Sequence, residues 1–217
     1  MSSIRSALAF ALLTPALAAA QVGPAPSFIP PAALAASLDR PEVVVLHVGD
    51  KEGYAAAHIA GARHVELAML TAPSEPGLQN EMPASADLEA KLEALGIGDD
   101  SRVVVYFAKD DLAQVAQAAR VVFTLDYVGL GGRTAILDGG LPAWLRAGQT
   151  TTTTVPTVTP GTLTVRANPA ALADMAWIRE HASGAQLLDA RPTPFYTGAD
   201  DRNGELKRPG HIPGAVS

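Results

Sequence analysis

Gly210-His211-Ile212-Pro213-Gly214-Ala215-Val216 says more about architecture than any other segment of this 217-residue chain. Pro-Gly suits the two central positions of a type II turn, where glycine supplies a positive φ. Ala215-Val216 then opens an extended segment. An earlier copy stands at His58-Ile59-Ala60-Gly61-Ala62, preceded by Tyr54, and His, Ile, Gly and Ala all recur at an offset of 153 residues. Solenoid repeats are roughly 20–50 residues long. A period of this length describes two homologous domains.

Around the first copy the pattern is strand and helix in alternation. Pro31-Ala32-Ala33-Leu34-Ala35 opens a short helix. Val43 to Val48 is a run rich in β-branched residues, the mark of a strand buried on both faces, and Gly49-Asp50 ends it. Tyr54 to His58 reads as helix, followed by a short strand near Val65. Residues 71–84, with Pro73, Pro76, Gly77 and Pro83, read as a loop. Ser85 is placed to cap a helix carrying Leu88, Leu92 and Leu95, and Gly96 stands where a C-terminal cap belongs. Val103 to Tyr106 is a second buried strand. A helix over about 113–127 is expected to face inward with Val115, Ala119 and Val122. Ala135 to Leu137 is a third strand, and Asp138-Gly139-Gly140 turns into a helix whose Trp144 is a core aromatic. This alternation predicts an α/β fold with a parallel sheet flanked by helices.

Thr150 to Gly161 is rich in Thr and Pro and reads as an extended interdomain linker, with an O-glycosylated stalk as the weaker option. The domains are therefore expected at residues 28–149 and 162–217. In the second, Pro169 to Ala173 repeats the letters of residues 31–35 and opens a helix reaching about His181. Gln186 to Ala190 aligns with Val44 to Val48, which sets Asp189 and Arg191 at the positions of His47 and Gly49.

Composition narrows the function. With 48% hydrophobic and 18% charged residues the chain is globular, and a net charge of −6 gives no reason to expect nucleic acid or an anionic membrane surface. There is no cysteine, hence no disulfide, thiolate metal site or cysteine nucleophile within these residues. No metal-ligating set is read. Residues 1–20 read as a secretory signal: Arg5, an apolar run from Ala7 to Leu13, and the small residues Ala18-Ala19-Ala20 before Gln21. This predicts a periplasmic or secreted protein that does not stay in the membrane once the signal is removed.

An aromatic residue followed at a short interval by His-Ile-Pro-Gly-Ala resembles the signature of the rhodanese family of sulfurtransferases, in its tandem-domain form. Asp138-Gly139-Gly140 leading to Ala143-Trp144, and Asp189-x-Arg191 at a strand end, are similar to further features of that family. The resemblance implies sulfane-sulfur transfer from thiosulfate or 3-mercaptopyruvate to cyanide or a thiol through a cysteine persulfide, with no cofactor and a small anionic donor as partner. It places the nucleophile after the strand Val103–Tyr106, where Phe107 stands instead, followed by Ala108, Lys109, Asp110 and Asp111. The first domain is thus expected to be inert.

In the second domain the resemblance gives Arg191 to the donor anion, a role its planar guanidinium suits. The alternative is an ion pair with Asp189 or a loop carbonyl, and both remain open on the sequence. Asp189, His58 and His211 are expected to be structural, like the turn glycines Gly61 and Gly214. In the first copy 46 positions separate Gly61 from Phe107. The same interval after Gly214 runs past Ser217, so the second copy is expected to be incomplete, as a fragment of a longer product or a truncated gene. A catalytically silent module that binds a partner or a small anion is the competing function.

Overall fold

The computed structural model describes residues 28–73, 80–181, 183–204 and 206–217. The secretory signal read at residues 1–20, and the part of the 71–84 loop at residues 74–79, lie outside the described residues. The chain divides into two compact units, one ending at Ala167 and one running from Asn168 to Ser217.

In the first unit the β-branched runs become the middle of a parallel sheet. Its strands are β1 (Phe28–Ile29), β2 (Val43–Val48), β3 (Arg63–Val65), β4 (Arg102–Phe107) and β5 (Thr134–Leu137), in the order β1-β5-β4-β2-β3. β2 and β4 pair along their full length, from Val43 opposite Arg102 to Val48 opposite Phe107. The helices are α1 (Pro31–Ala35), α2 (Lys51–Ala56), α3 (Ser85–Ala94), α4 (Leu112–Leu125) and α5 (Gly140–Arg146).

Alternation along the strands feeds two cores. Val44, Leu46, Val48, Val103, Val105 and Phe107 join Leu88 and Leu92 of α3 and Ala118, Val121 and Leu125 of α4. Val45, Val104 and Tyr106 join Leu34 of α1 and Leu141 and Trp144 of α5.

Several local expectations need correction. α4 turns a different face inward: Gln114, Ala118, Val121 and Leu125 are buried, whereas Val115 and Ala119 are exposed and Val122 is only partly covered. The phase is set at the start, where Asp111 caps the helix and the buried Gln114 reaches back to the preceding loop. Ser85 does not cap α3; it is the first helical residue, after an Ala84 N-cap that makes no side-chain bond. α2 begins earlier than Tyr54, because Asp50 accepts from the Gly53 N–H and fixes its first turn. β1 is an additional strand, two residues long, at the sheet edge beside β5.

The Thr/Pro-rich stretch differs most from expectation. It belongs to the first unit. Thr152 pairs with His58 in both directions through the backbone (3.0 and 2.8 Å). Further on, Leu163 is 3% exposed within the α3/α4 core. The boundary accordingly falls after Ala167 and not at Gln149.

The second unit repeats the local geometry of the first. Leu188 bridges Val216 in parallel, as Leu46 faces Arg63 between β2 and β3. Only this single bridge forms where a strand was expected at 186–190. The expected helix from Pro169 to His181 is a 3-10 turn (Pro169–Ala171) followed by a separate α6 (Met175–His181); α7 spans Thr193–Thr197. The Pro-Gly turn forms as expected: the Ala215 N–H donates to the Ile212 carbonyl at 2.9 Å, with Gly214 at φ 86°. In the first unit Ala62 donates to Ile59 in the same way, with Gly61 at φ 75°, without the proline.

Candidate functional site

The two units present two unlike ends. In the first, β4 ends on Phe107, whose ring is buried in the α3/α4 core. The loop after it is closed on itself. The Lys109 N–H donates to Gln114 Oε1 (2.8 Å), and the Gln114 N–H donates to Asp111 Oδ1 (2.8 Å). Lys109 Nζ is drawn to Asp50 Oδ2 at 3.2 Å. Backbone donors at a helix start can hold an anion when they are free and the local charge is positive. Here a side-chain amide and a carboxylate occupy two of them, and Asp50, Asp110 and Asp111 outnumber Lys109. Gln114 was not singled out from sequence; a polar residue one turn into an amphipathic helix gives no signal that it will be buried.

Behind this end lies an aromatic and histidine cluster. His58 stacks on Tyr54 (centroids 4.0 Å apart, 17° between planes). Its Nδ1–H donates to the Tyr54 carbonyl at 2.7 Å, and its Nε2 lies 3.1 Å from the Thr154 carbonyl. The Tyr54 hydroxyl donates to the Ala62 carbonyl at 2.8 Å. His58 thus holds the turn of the repeated motif and the Thr-rich stretch together.

His47 is fully buried between Tyr54 and Tyr106. The Tyr106 hydroxyl accepts the Ile59 N–H (3.1 Å) and has its own proton to give to His47 Nδ1 (2.9 Å). That leaves the proton of neutral His47 on Nε2, which has no partner among the described residues. Burial first, and the neighbouring His64 and His58 second, lower the His47 pKa to about 4.

A depressed histidine pKa means that the unfolded chain takes up the proton first. Its contribution to stability is therefore full above the ordinary value near 6.5 and is lost as pH falls toward 4. The slope is about 1.4 kcal/mol per pH unit, roughly 3 kcal/mol in all. Urea midpoints measured between pH 7 and pH 4 should show this slope, and His47→Gln, which keeps an acceptor for Tyr106 and does not titrate, should flatten it. Equal slopes in the two proteins would exclude His47 as the source.

The second unit repeats the tyrosine–histidine pair. Tyr196 and His211 stack at 3.9 Å and 12°. The His211 Nδ1–H donates to the Tyr196 carbonyl (2.8 Å), and the Tyr196 hydroxyl donates to the Ala215 carbonyl (2.9 Å). Tyr196 follows Tyr54 by 142 residues and His211 follows His58 by 153, so the second copy holds 11 more residues between the two. That insertion hid the equivalence of Tyr196 and Tyr54 in the sequence. Its only trace was the change of offset, because Asp189 and Arg191 also follow His47 and Gly49 by 142.

Where the first unit has His47 and Gly49, the second has Asp189 and Arg191. Arg191 grips Asp189 through Nε to Oδ1 (2.9 Å) and Nη2 to Oδ2 (2.6 Å), and Nη2 also donates to the Gly210 carbonyl (2.8 Å). Both structural partners named as alternatives are therefore engaged. The guanidinium holds the Asp189 carboxyl down at about 2. The Nη1 group makes no hydrogen bond among the described residues and keeps its two donors. Arg191 lines a cleft of about 700 Å³, together with Leu188, Asp189, Arg208, His211 and Pro213. Gly214 sets the turn at the cleft's edge. No cluster of metal-ligating side chains occurs among the described residues, and no helix there is long and apolar enough to cross a membrane.

A profile of the rhodanese-like domain matches residues 30–147. Over 196 residues the chain is 34% identical to a Pseudomonas aeruginosa protein named thiosulfate sulfurtransferase, covering 88% of this chain and 68% of that one. It is also 34% identical to a probable 3-mercaptopyruvate sulfurtransferase of the same organism, covering 84% of this chain and 66% of the relative. Among solved structures it is similar to SseA from Escherichia coli, described as a 3-mercaptopyruvate sulfotransferase with the rhodanese fold. The TM-score is 0.75 at 25% identity, over 88% of this chain and 73% of that one. The chain spans about two thirds of the length of its two Pseudomonas relatives.

Proposed function

Since the chain belongs to the rhodanese family, we propose that it serves sulfur transfer from thiosulfate or 3-mercaptopyruvate by holding the anionic end of the donor, while the persulfide-forming thiol is supplied from outside these residues. The observation that carries this reading is Arg191: anchored on one edge by Asp189, it leaves Nη1 without a partner among the described residues and lines a cleft that Arg208 also lines. An arginine fixed by a carboxylate loses little rotamer freedom when an anion arrives, and its remaining donors suit a sulfonate or carboxylate oxygen. The relatives named as sulfurtransferases support the donor class. The first unit serves as a scaffold, with Phe107 at the family's nucleophile position. If residues 1–20 act as an export signal, this work takes place in the periplasm or outside the cell.

The test is calorimetric titration of the purified chain with thiosulfate and with 3-mercaptopyruvate. Saturable binding that weakens at least tenfold in Arg191→Met is expected. Absence of saturable heat with both donors, or unchanged affinity in the variant, removes the reading.

A second result is expected from the first unit. The chain alone should produce no thiocyanate from thiosulfate and cyanide above a buffer blank, and Phe107→Cys should stay at the blank. A thiol there would face a loop whose Lys109 and Gln114 N–H groups are already engaged and whose charge is net acidic, so nothing lowers its pKa or holds a persulfide anion. Turnover by Phe107→Cys would show that the loop is competent.

A further inference from the structure

The first unit has a pocket at the opposite end of the sheet from Phe107. It opens at the N-terminal ends of β2, β4 and β5, beneath α1, about 17 Å from the loop end at roughly 3.3 Å per strand residue. Its volume is about 460 Å³, within the range of small-molecule sites. Ile29, Ala36, Val43 and Ala135 form its apolar wall, and Ile29 and Val43 remain partly open to solvent.

The rim is cationic. Arg40, Arg102 and Arg133 stand on it with one carboxylate, Glu42. Arg133 is committed to the Asp99 carbonyl and lies near Asp100 (3.6 Å). Arg40 and Arg102 form no ion pair among the described residues, and Glu42 forms none either. The rim therefore carries an excess of positive charge in a chain whose net charge is −6. An apolar hollow edged by unpaired guanidinium groups is complementary to a molecule with a hydrocarbon body and a single anionic head. Glu42 disfavours a dianion, and the apolar wall gives a small hydrophilic anion such as a sulfur donor nothing to bind.

We infer that this pocket binds an amphipathic monocarboxylate, tail against Ile29, Val43 and Ala135 and head between Arg40 and Arg102. The site is separate from the Arg191 cleft and does not depend on that residue's role.

The test is calorimetric titration of the 217-residue protein with decanoate below its micelle concentration. Decanol supplies the tail without the charge, and acetate the charge without the tail. Saturable one-to-one binding of decanoate is expected, with decanol and acetate each at least tenfold weaker. Arg40→Glu/Arg102→Glu, both exposed positions, should weaken decanoate at least tenfold with an unchanged melting temperature, while Arg191→Met leaves it unchanged. Decanol binding as tightly as decanoate, or full affinity in the double variant, would overturn the inference. So would the absence of saturable heat, the result expected if another segment of the chain or a second copy already covers the pocket.

Discussion

A chain ended after Gln149 should lose cooperative folding, whereas one ended after Ala167 should keep it. The residues between are a strap that completes the first unit. Leu163 is 3% exposed in the α3/α4 core, and Leu163→Ala alone should cost about 2–4 kcal/mol. The strap also gives its backbone to α3 and its end. The Gly161 N–H donates to the Glu93 carbonyl (2.8 Å) and the Leu163 N–H to Glu93 Oε1 (2.9 Å). The Val165 N–H reaches Glu89 Oε2 (3.2 Å) and the Thr164 N–H reaches Asp99 Oδ1 (2.8 Å).

Ending the chain at Gln149 removes all of these together with the Thr152–His58 pairing, and takes Leu163 and Val165 away from the core they pack against. The combined loss is of the same order as the whole stability of a small domain, about 5–15 kcal/mol. Urea unfolding of the two chains checks this. Equal midpoints would mean that the strap is an ornament and the Gln149 boundary is sound.

The strap also shows what a sequence pattern can and cannot convey. β2 and β4 were legible because continuous β-branched runs have few uses other than a doubly covered strand. The closing turn was legible because Pro followed by Gly constrains both central φ angles at once. The strap was not, because its composition is that of a linker. Its attachment rests on Leu163 and Val165, one threonine hydroxyl, and otherwise backbone N–H and C=O groups, which are the same in nearly every sequence. α4 was recognised as a helix yet placed in the wrong phase, since Val115, Ala119 and Val122 form an apolar stripe as regular as the one that is buried. What chose between the stripes was Gln114, a polar residue required by the loop before it.

Of the candidate site, the motif histidines and the Asp189–Arg191 strand end were visible from their letters. Tyr196 was not, because the insertion before His211 broke the register in which Tyr54 and His58 lie four residues apart. The paired geometries show why the repeat tolerates that insertion. The tyrosine hydroxyl bonds to the turn and the tyrosine carbonyl bonds to the histidine, so the chain between them can lengthen without moving either group. Substitutions at the strand end, by contrast, change the chemistry: a buried neutral histidine beside glycine in one unit, a fixed ion pair on a cleft in the other.

Gly140→Ala is expected to destabilise the first unit by about 3–5 kcal/mol. Gly139 and Gly140 take φ values of 68° and 56° in the turn that brings α5 back from β5. An L-residue in that region costs roughly 1–2 kcal/mol before any contact is considered. The added Cβ would also lie 2.5 Å from Phe107 Cδ2 and 2.7 Å from the Phe107 carbonyl oxygen. The ring could yield by changing rotamer, at the expense of its packing in the core. The carbonyl could not, because β4 is held between β2 and β5 and Phe107 pairs with Val48.

Phe107→Ala should therefore relieve only part of the Gly140→Ala penalty, and a double-mutant cycle should return a coupling below the full cost of Gly140→Ala. Gly132→Ala, where nothing lies within 4 Å of the added atom, is the control and should be near neutral. If Gly140→Ala proved as mild as Gly132→Ala, the close packing of the α5 turn on the end of β4 would be wrong, and with it the claim that Phe107 fills this end of the unit.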